Sequence, residues 1–262
     1  AFFMCSQVVS AQTASALPLD AVQHVAGTTD YVSVNSPLRT FNKEITVEFW
    51  MNTPSVNMPV GSVMGQGTSN VDNWSTDNVW LMHPNANGTM TFYVNDAGNW
   101  RDVTCNILAG AWHHYAGVAS ATRTKIYVDG VLIITGPGIS NTILNNSGSV
   151  IHIGKDVRYD IGKSGDVPRF ANMAIDEVRI WDRALCQDEI RNNMNCEPNA
   201  GLQTGLQEYY RFNQGVVNGN NAGVTSLTDA TNPSRNGTLN NFLLTGTTSN
   251  WVASGSTNTG TC

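Results

Sequence analysis

One polar stretch of the chain combines the side-chain types that hold sugars. It runs from residue 71 to residue 80 and reads VDNWSTDNVW. Flat aromatic faces stack on sugar rings while amides and carboxylates hydrogen-bond the hydroxyl groups, and such groups are often carried on loops. The stretch therefore predicts a ligand-contacting loop. Its candidate binding residues are Asp72, Asn73, Trp74 and Asp77, and Trp74 supplies the stacking face.

Two further places put an aromatic residue beside charged ones. Trp100 is followed by Arg101 and an aspartate, and Tyr159 lies between an arginine and an aspartate. We expect Trp100, Arg101 and Tyr159 to be secondary ligand contacts. The alternative is that large aromatic side chains pack into a core. The apolar neighbours of Trp80 and Trp100 favour that alternative for these two residues.

The adjacent histidines His113 and His114 could suggest catalysis or a metal. Neighbouring residues on a strand point to opposite faces, so the pair cannot chelate one ion together. No Gly-x-Ser-x-Gly motif supplies a nucleophile for them. We expect one histidine to be hydrogen-bonded in the core and the other to lie on a sheet face. The sequence predicts no catalytic residue here.

The elements that position these residues begin with a decapeptide, Met173–Asp182, which reads MAIDEVRIWD. Its β-formers alternate imperfectly, which predicts a strand buried on both faces. Cys186 then precedes Glu189 by three residues, the spacing of a capping box. One short helix is therefore expected near residues 187 to 194.

Two patterns predict a hairpin and a strand with one core face. Asp129 and Gly130 separate the runs KIYV and VLII, as a tight hairpin requires. In the run from residue 45 to residue 51, alternate side chains share a face. The side chains expected to face the core are Ile45, Val47, Phe49 and Met51.

Composition supports many short strands. Charged residues make up 13%, the chain has 24 glycines, and the net charge is -6. This suits strands joined by polar turns, and it argues against a helical bundle or a nucleic-acid binder. No stretch beyond the N-terminus approaches the ~20 apolar residues of a membrane span.

Four segments in order carry a family resemblance. They are Leu19–Asp20 with the following TDYVSV, Ile45–Trp50, Ala111–Ala116 running into KIYVDG, and Met173–Asp182. Together they resemble a laminin-G-like domain of the concanavalin-A-like lectin and glucanase superfamily, of the kind found in large bacterial surface proteins. The resemblance implies an all-β fold, an antiparallel two-sheet jelly-roll sandwich with one short helix.

The resemblance also implies a function class. It indicates an extracellular, non-catalytic carbohydrate-binding or adhesion module whose partner is a glycan or a surface protein. The alternative is a structural or protein-interaction domain of a surface fibre or multidomain secreted protein. A glycoside hydrolase is less favoured, because the paired glutamates around an aspartate that such enzymes carry are missing. The nearest imitation, Glu44 with Glu48, separates its Cα atoms by ~13 Å on a strand, more than the ~5 to 9.5 Å between catalytic carboxyl groups.

A structural calcium ion is a further implication of the resemblance. Asp20, Asp30 and Asp176 lie in the motifs that related domains place around calcium, which accepts carboxylate and carbonyl oxygens without strict geometry. The alternative is that Asp20 and Asp30 support turns while Asp176 pairs with an arginine.

The N-terminus and the cysteines both indicate export. Residues 1–12 are a short apolar run ending in small residues, which predicts the remnant of a secretory signal peptide; a first strand is the alternative. The sandwich is expected over residues 13–215, followed by an Asn/Gly/Thr-rich extension or final strands over residues 216–262.

Four cysteines remain after residue 12, and they allow three disulfide pairings. A continuous helix would hold Cys186 and Cys196 ~15 Å apart, too far for a bond. That pairing would require the helix to end early. We favour Cys196 with Cys262, which would tie the tail to the end of the helix and leave Cys105 with Cys186, in an oxidising compartment, with free buried thiols as the alternative.

Overall fold

The computed structural model describes residues 15–19, 30–35, 41–58, 63–68, 78–141, 143, 149–157 and 170–254. Several predicted features lie outside these ranges: residues 1–12, Asp20, Asp72, Asn73, Trp74, Asp77, Tyr159 and Cys262.

The described residues are mostly β-strands. In chain order they are β1 Ser15–Leu19, β2 Tyr31–Asn35, β3 Ile45–Asn52, β4 Met64–Thr68, β5 Asn78–Pro84, β6 Thr89–Asp96, β7 Asn99–Asn106, β8 His113–Ala119, β9 Arg123–Val128, β10 Val131–Pro137, β11 Ser149–Ile153, β12 Met173–Trp181, β13 Leu206–Tyr210, β14 Ser226–Leu227, β15 Gly237–Asn240 and β16 Val252–Ala253. Helix α1 spans Gln187–Asn193, and short 3-10 turns span Ala200–Leu202 and Pro233–Arg235.

The strands form two antiparallel sheets. Sheet A has the order β10-β9-β8-β3-β12-β1-β16, with β13 also paired to β12. Sheet B has the order β14-β15-β2-β11-β4-β5-β6-β7. The predicted two-sheet sandwich with a short helix is confirmed.

The core fills the space between the sheets. Ile45, Val47, Phe49 and Met51 of β3 are all 0% exposed and belong to it, as their alternation predicted. On β8 of the same sheet A, a Cβ at Gly117 would lie 2.6 Å from the ring of Phe92 in sheet B. Glycine at this position therefore lets an aromatic ring rest directly on the backbone of the opposite sheet.

Strands β10 and β7 close one side of the sandwich. A Cβ at Gly136 would lie 2.7 Å from the Cγ1 atom of Val103, so the two edge strands approach closely at that glycine. The outer part of β10 is different, because it exposes four consecutive apolar side chains. These are Val131, Leu132, Ile133 and Ile134, between 39% and 51% exposed.

The hairpin between β9 and β10 turns at Asp129 and Gly130, as predicted. Their φ angles are 50° and 71°, which are the positive values that a tight type I′ turn requires at both central residues. A Cβ added at Gly130 would also lie 2.6 Å from the Cγ atom of Arg191 in α1. The turn therefore packs directly against the helix.

Helix α1 covers the outer face of sheet A. The amide N–H of Cys186 donates a 2.8 Å hydrogen bond to the side chain of Glu189. This bond from the N-cap backbone to the glutamate is one of the two that define a capping box, and it confirms the predicted start of the helix. Ile190 of the helix joins Trp181 and Tyr209 in a second apolar cluster on this face. Strand β12 is consequently buried on both sides, as its sequence predicted.

The C-terminal part of the described chain belongs to the sandwich. Strand β15 pairs with β2 in sheet B, and β16 pairs with β1 in sheet A. The indole of Trp251 is 0% exposed in the core, and its Nε1 donates a 2.8 Å hydrogen bond to the carbonyl of Phe212.

Candidate functional site

The outer face of sheet B carries a row of aromatic rings. Strand β6 turns Met90, Phe92 and Val94 into the core, so the intervening Tyr93 points outward, as the two-residue period of a strand dictates. The ring of Tyr93 meets that of Trp100 edge to face, with centroids 5.7 Å apart. It also meets the ring of His83 in a T-shaped contact at 6.1 Å.

Part of this row is accessible. Tyr93 and Trp100 are half-buried, and Asp102 beside them on β7 is exposed. We call these three residues the aromatic platform. The expectation that Trp100 packs into the core is wrong, because its alternation with Val103 and Cys105 places it on the outer face. The same expectation for Trp80 is confirmed, since that indole is 0% exposed in the core.

Arg101 does not join the platform, because its side chain lies on the opposite face of β7 from Trp100. Its Nη2 lies 2.9 Å from an oxygen of Asp96, and the same carboxylate accepts hydrogen bonds from the amides of Ser140 and Asn141. Burial alone would raise the pKa of Asp96, but these hydrogen bonds and the one from Arg101 lower it. Asp96 therefore anchors the β6–β7 hairpin to the chain after β10, and Arg101 pairs with it inside the hairpin.

The strand ends around residues 69–77 lie on the platform side of the sheet. Thr68 ends β4 and Asn78 begins β5. Because Trp80 pairs with Val94, these ends are level with the hairpin that joins β6 to β7. Thr68 and Asn78 therefore both lie at the end of sheet B that carries Trp100.

A second aromatic and polar group lies further across the same face. The ring of Tyr31 contacts that of His152 at 5.2 Å, and the Nζ of Lys155 lies 4.7 Å from the Tyr31 centroid. Lys155 is only 1% exposed and His152 only 5%, so this group is not a surface in the described structure. Sequence reasoning named Trp100 but missed Tyr93 and the second group, although the outward positions of β6 and β11 follow from alternation.

Two of the three predicted calcium residues are described, and they lie beside different sheets. Asp30 is buried and immediately precedes β2, whereas Asp176 lies within β12. The Asp176 carboxylate accepts hydrogen bonds from the amide of Glu177 at 2.8 Å and from Ser254 at 2.7 Å. No group of three or more metal-ligating side chains occurs among the described residues. Asp176 is thus held by protein donors at both oxygens, and a calcium site would depend on Asp20.

A buried charge network lies between sheet A and α1. Arg179 is fully buried, and its guanidinium donates to Glu177 at 2.6 Å and to the carbonyls of Asn193 and Cys196 at 2.8 and 2.7 Å. Tyr209 donates from its hydroxyl to Glu177 and lies under the Arg179 guanidinium at 5.0 Å. These bonds join β12 and β13 to the end of α1. Burial raises the pKa of Glu177 against the opposing effect of Arg179.

Glu48 belongs to the same network and is 0% exposed. Burial raises its pKa, while Arg179 and the Trp181 indole oppose that change. Neither accessibility nor spacing suits Glu48 to act on a bound sugar together with Glu44, whose carboxylate instead accepts a 3.2 Å hydrogen bond from the amide of Ala184.

The two histidines of β8 have separate environments. His113 lies 2.8 Å from a carboxylate oxygen of Asp129 in the hairpin turn. His114 packs its ring edge to face on Trp50 beneath α1, with centroids 5.5 Å apart. Burial, aided by Arg179, lowers the pKa of His114 to about 3. Its 3.6 Å approach to Glu48 is therefore not an ion pair at neutral pH.

The predicted bond between Cys105 and Cys186 is wrong, since both are free thiols. Cys105 points into the core from β7, whereas Cys186 is exposed at the start of α1 on the other sheet. Cys196 is buried and is not among the free thiols, and Cys262 lies outside the described residues. Its bond to Cys262 stays a prediction.

Within the described ranges, no helix is both long and apolar enough to cross a membrane. The longest described helix is the seven-residue α1.

Comparison with known proteins places the fold. The sequence family described as the concanavalin A-like lectin/glucanases superfamily matches residues 26–191. A crystal structure of a candidate carbohydrate binding protein from Bacteroides ovatus is similar, with a TM-score of 0.63 and 21% identity over 88% of this chain. The chain spans only 59% of that protein's length.

A second similar structure is the heptameric SAP-like pentraxin of Limulus polyphemus. It has a TM-score of 0.51 and 19% identity, covering 68% of this chain and 81% of the pentraxin. No curated protein sequence matches the chain. The family match, together with the two antiparallel sheets, shows that this chain belongs to the concanavalin A-like lectin/glucanase superfamily.

Proposed function

We propose that the chain is a non-catalytic carbohydrate-binding module that acts outside the cell, with the aromatic platform as its described contact surface. The observation that carries the proposal is the half-exposed, edge-to-face pair of Tyr93 and Trp100 beside the exposed carboxylate of Asp102. Rings fixed by packing on each other bind a sugar face with little loss of side-chain entropy, and the carboxylate can accept from its hydroxyl groups.

The platform is open and shallow, so affinity at one site should be weak. One stacking contact with a few exposed hydrogen bonds corresponds to roughly millimolar binding, about 4 kcal/mol. Strength at a surface would come from repeated copies, which raise the effective concentration of the second contact. The strand ends that precede and follow residues 69–77 lie at the same end of sheet B as Trp100. We propose that residues 69–77, which contain Trp74, complete the site.

A glycan array probed with multivalent protein tests the proposal. Trp100→Ala and Trp74→Ala should each lose glycan retention. The melting temperature of Trp74→Ala should stay near that of the wild type, and Trp100→Ala should remain folded with a lower melting temperature because its contact with Tyr93 is lost. Trp112→Ala is the matched control, because Trp112 is also half-buried but precedes β8 in sheet A. Glycan retention by both the Trp100 and Trp74 variants would show that the site lies elsewhere.

One observation favours a second candidate function, a structural or protein-interaction domain. The exposed apolar run on β10 lies on an edge strand, and such edges pair readily with another strand. The occupant we consider is a second copy of the chain. Self-association that is abolished by Ile133→Lys, combined with no glycan binding by the wild type, would make this the better account.

A structural calcium ion remains part of the proposal for Asp20, Asp30 and Asp176. A ligand that binds only the native state stabilises it by RT ln(1 + [L]/Kd). Chelation with EGTA should therefore lower the melting temperature. An unchanged melt, with no metal in the purified protein, would remove calcium from the proposal.

A further inference from the structure

A polar pocket of about 410 Å³ lies in the C-terminal part of the chain, beyond the family-matched residues. Its polar lining comes from Asn199, Arg211, Asn213, Gln214 and Thr228. The volume lies within the range of ordinary small-molecule sites, at its small end. Nothing in the aromatic platform on sheet B contributes to it.

Among the described residues, Arg211 is the only charged one that lines this pocket. Its guanidinium lies 5.0 Å from the ring centroid of Tyr209, and the other guanidinium that contacts this ring at 5.0 Å is that of the buried Arg179. Glu197 approaches the Nε of Arg211 at 3.6 Å, and the second oxygen of Glu197 accepts from Asn213 at 2.8 Å. Stacking and the carboxylate therefore orient the guanidinium from the side of the Nε atom.

The two terminal amino groups of the Arg211 guanidinium are available to bind a ligand. Within the described chain, neither terminal amino group of Arg211 donates a hydrogen bond to a protein acceptor. Two parallel N–H groups in a fixed plane match the two oxygens of a carboxylate. Among the described residues no acidic side chain lines the pocket itself, and the carboxylate of Glu197 approaches Arg211 at Nε rather than at the terminal amino groups.

The neighbouring amides also have unused hydrogen-bonding atoms. Asn199 accepts from the amide of Gly201 at 3.2 Å through Oδ1, which leaves its Nδ2 without a protein partner in the described structure. Gln214 donates through Nε2 to Thr228 at 2.8 Å and to the carbonyl of Ser226 at 3.2 Å, which leaves its Oε1 without one. Uncharged donors and acceptors around a single cation suit a ring with hydroxyl groups better than an apolar acid.

From this arrangement we propose that the pocket is a second binding site, for one acidic sugar residue whose carboxylate pairs with Arg211. The amide groups of Asn199 and Gln214 bind its hydroxyls. The site deepens the proposed carbohydrate function by naming a substrate class, and it does not require the aromatic platform to bind anything.

Titration with methyl β-D-glucuronide, followed by amide correlation NMR, tests the site. The side-chain amide signals of Asn199 and Gln214 should shift with saturable, roughly millimolar affinity. Methyl β-D-glucoside, which lacks the carboxylate, should bind about tenfold more weakly, because a hydrogen bond to a charged group is worth about that factor. Acetate, which has the carboxylate without the ring, should also bind more weakly than the glucuronide.

Variants separate recognition from folding. Arg211→Gln should weaken glucuronide binding about tenfold. The affinity of Arg211→Lys should lie between those of Arg211→Gln and the wild type, because lysine keeps the charge and loses the two parallel N–H donors. Asn199→Ala, at an exposed position, should weaken binding without affecting the melt. Arg123→Gln is the matched control, since Arg123 is exposed on sheet A and its side chain donates to the carbonyl of Thr122.

The outcomes distinguish this site from the platform. Trp100→Ala should leave glucuronide affinity unchanged, even if it removes retention on the glycan array. Equal affinity for the glucuronide and the glucoside would show that the carboxylate is not recognised. Equal affinity for the glucuronide and acetate would show that the sugar ring is not recognised. Full affinity in Asn199→Ala and in a folded Arg211→Gln variant would place the ligand elsewhere.

Discussion

The indole Nε1 of Trp181 donates a 3.0 Å hydrogen bond to the Oε1 oxygen of Glu48. The same carboxylate oxygen lies 3.6 Å from the guanidinium of Arg179. The glutamate of the motif EFW and the arginine and tryptophan of the motif RIW are therefore one buried unit beneath α1. This explains why these motifs identify the fold of the chain rather than its ligand.

Arg179→Met should destabilise the protein strongly. It leaves the carboxylates of Glu48 and Glu177 buried without their cation, a situation that typically costs about 3 to 5 kcal/mol. The free energy of unfolding from urea denaturation measures the loss, and the exposed Arg123→Met variant should change it by less than about 0.5 kcal/mol. Replacing both glutamates by glutamine in the Arg179→Met background should recover part of the stability. A loss below about 1 kcal/mol would mean that the network does not stabilise the fold.

Stability should respond to pH through His114. Its pKa is about 3 in the folded protein against 6.5 for the unperturbed group, so the unfolded chain binds more protons between these values and stability falls as the pH is lowered through them. The contribution is at most about 1.4 kcal/mol per pH unit. Burial raises the pKa of Glu48, which makes the stability rise as the pH is lowered. The effect of His114 must therefore be measured as a difference between the wild type and a variant.

His114→Phe keeps a ring against Trp50 and removes the titration. The unfolding free energy of the wild type, minus that of the variant, should fall as the pH is lowered from about 6.5 towards about 3. Urea denaturation of both proteins at a series of pH values gives this difference. Parallel profiles would show that His114 is not held neutral by burial.

Alanine substitutions at three glycines should distinguish the energetic cost of a strained backbone from the cost of a steric clash. Gly130 has φ +71° and a Cβ there would lie 2.6 Å from Arg191, whereas Gly110 has φ +84° and nothing within 4 Å. Alanine at Gly110 should cost about 1 kcal/mol for the left-handed backbone, and alanine at Gly130 should cost more. Gly223, with no positive φ and nothing within 4 Å, should tolerate alanine. Thermal or urea unfolding gives the ranking, and equal costs at Gly130 and Gly110 would contradict the packing of the turn on α1.

The two free thiols should differ sharply in reactivity. Cys186 is exposed, so it should react with a disulfide reagent in the native protein, and Cys186→Ser should abolish that signal. Cys105 is buried, and burial raises the pKa of its thiol to about 12, so it should react only after unfolding. If Cys105→Ser and Cys186→Ser each raise the thiol titre of the unfolded, unreduced protein by one instead of lowering it by one, the two cysteines are bonded after all.

The regular parts of the fold could be predicted because they depend on local pattern. Alternation assigned the core face of β3, the spacing of Cys186 and Glu189 gave the start of α1, and Asp129–Gly130 gave the hairpin turn. Trp100 was misassigned because its apolar neighbours in sequence favour the core, whereas the structure shows that Val103 and Cys105 of β7 face the other sheet, which puts Trp100 on the outer face. Arg211 was missed for a related reason, since its pocket brings together residues from turns and short strands with no periodic signal. The predicted pairing of Cys105 with Cys186 failed because Cys105 faces the core from sheet B, whereas Cys186 precedes α1 on the outer face of sheet A.

The pairing of β1 with β16 determines how the domain would respond to tension. Ser15 is opposite Ala253, so the start of the first described strand and the end of the last one are neighbours at one end of an antiparallel pair. A force applied to these two ends would load the hydrogen bonds between the strands one after another rather than all at once. The strands would therefore separate like a zipper at low force, which suits a module carried beside a load-bearing chain better than one placed in line with it.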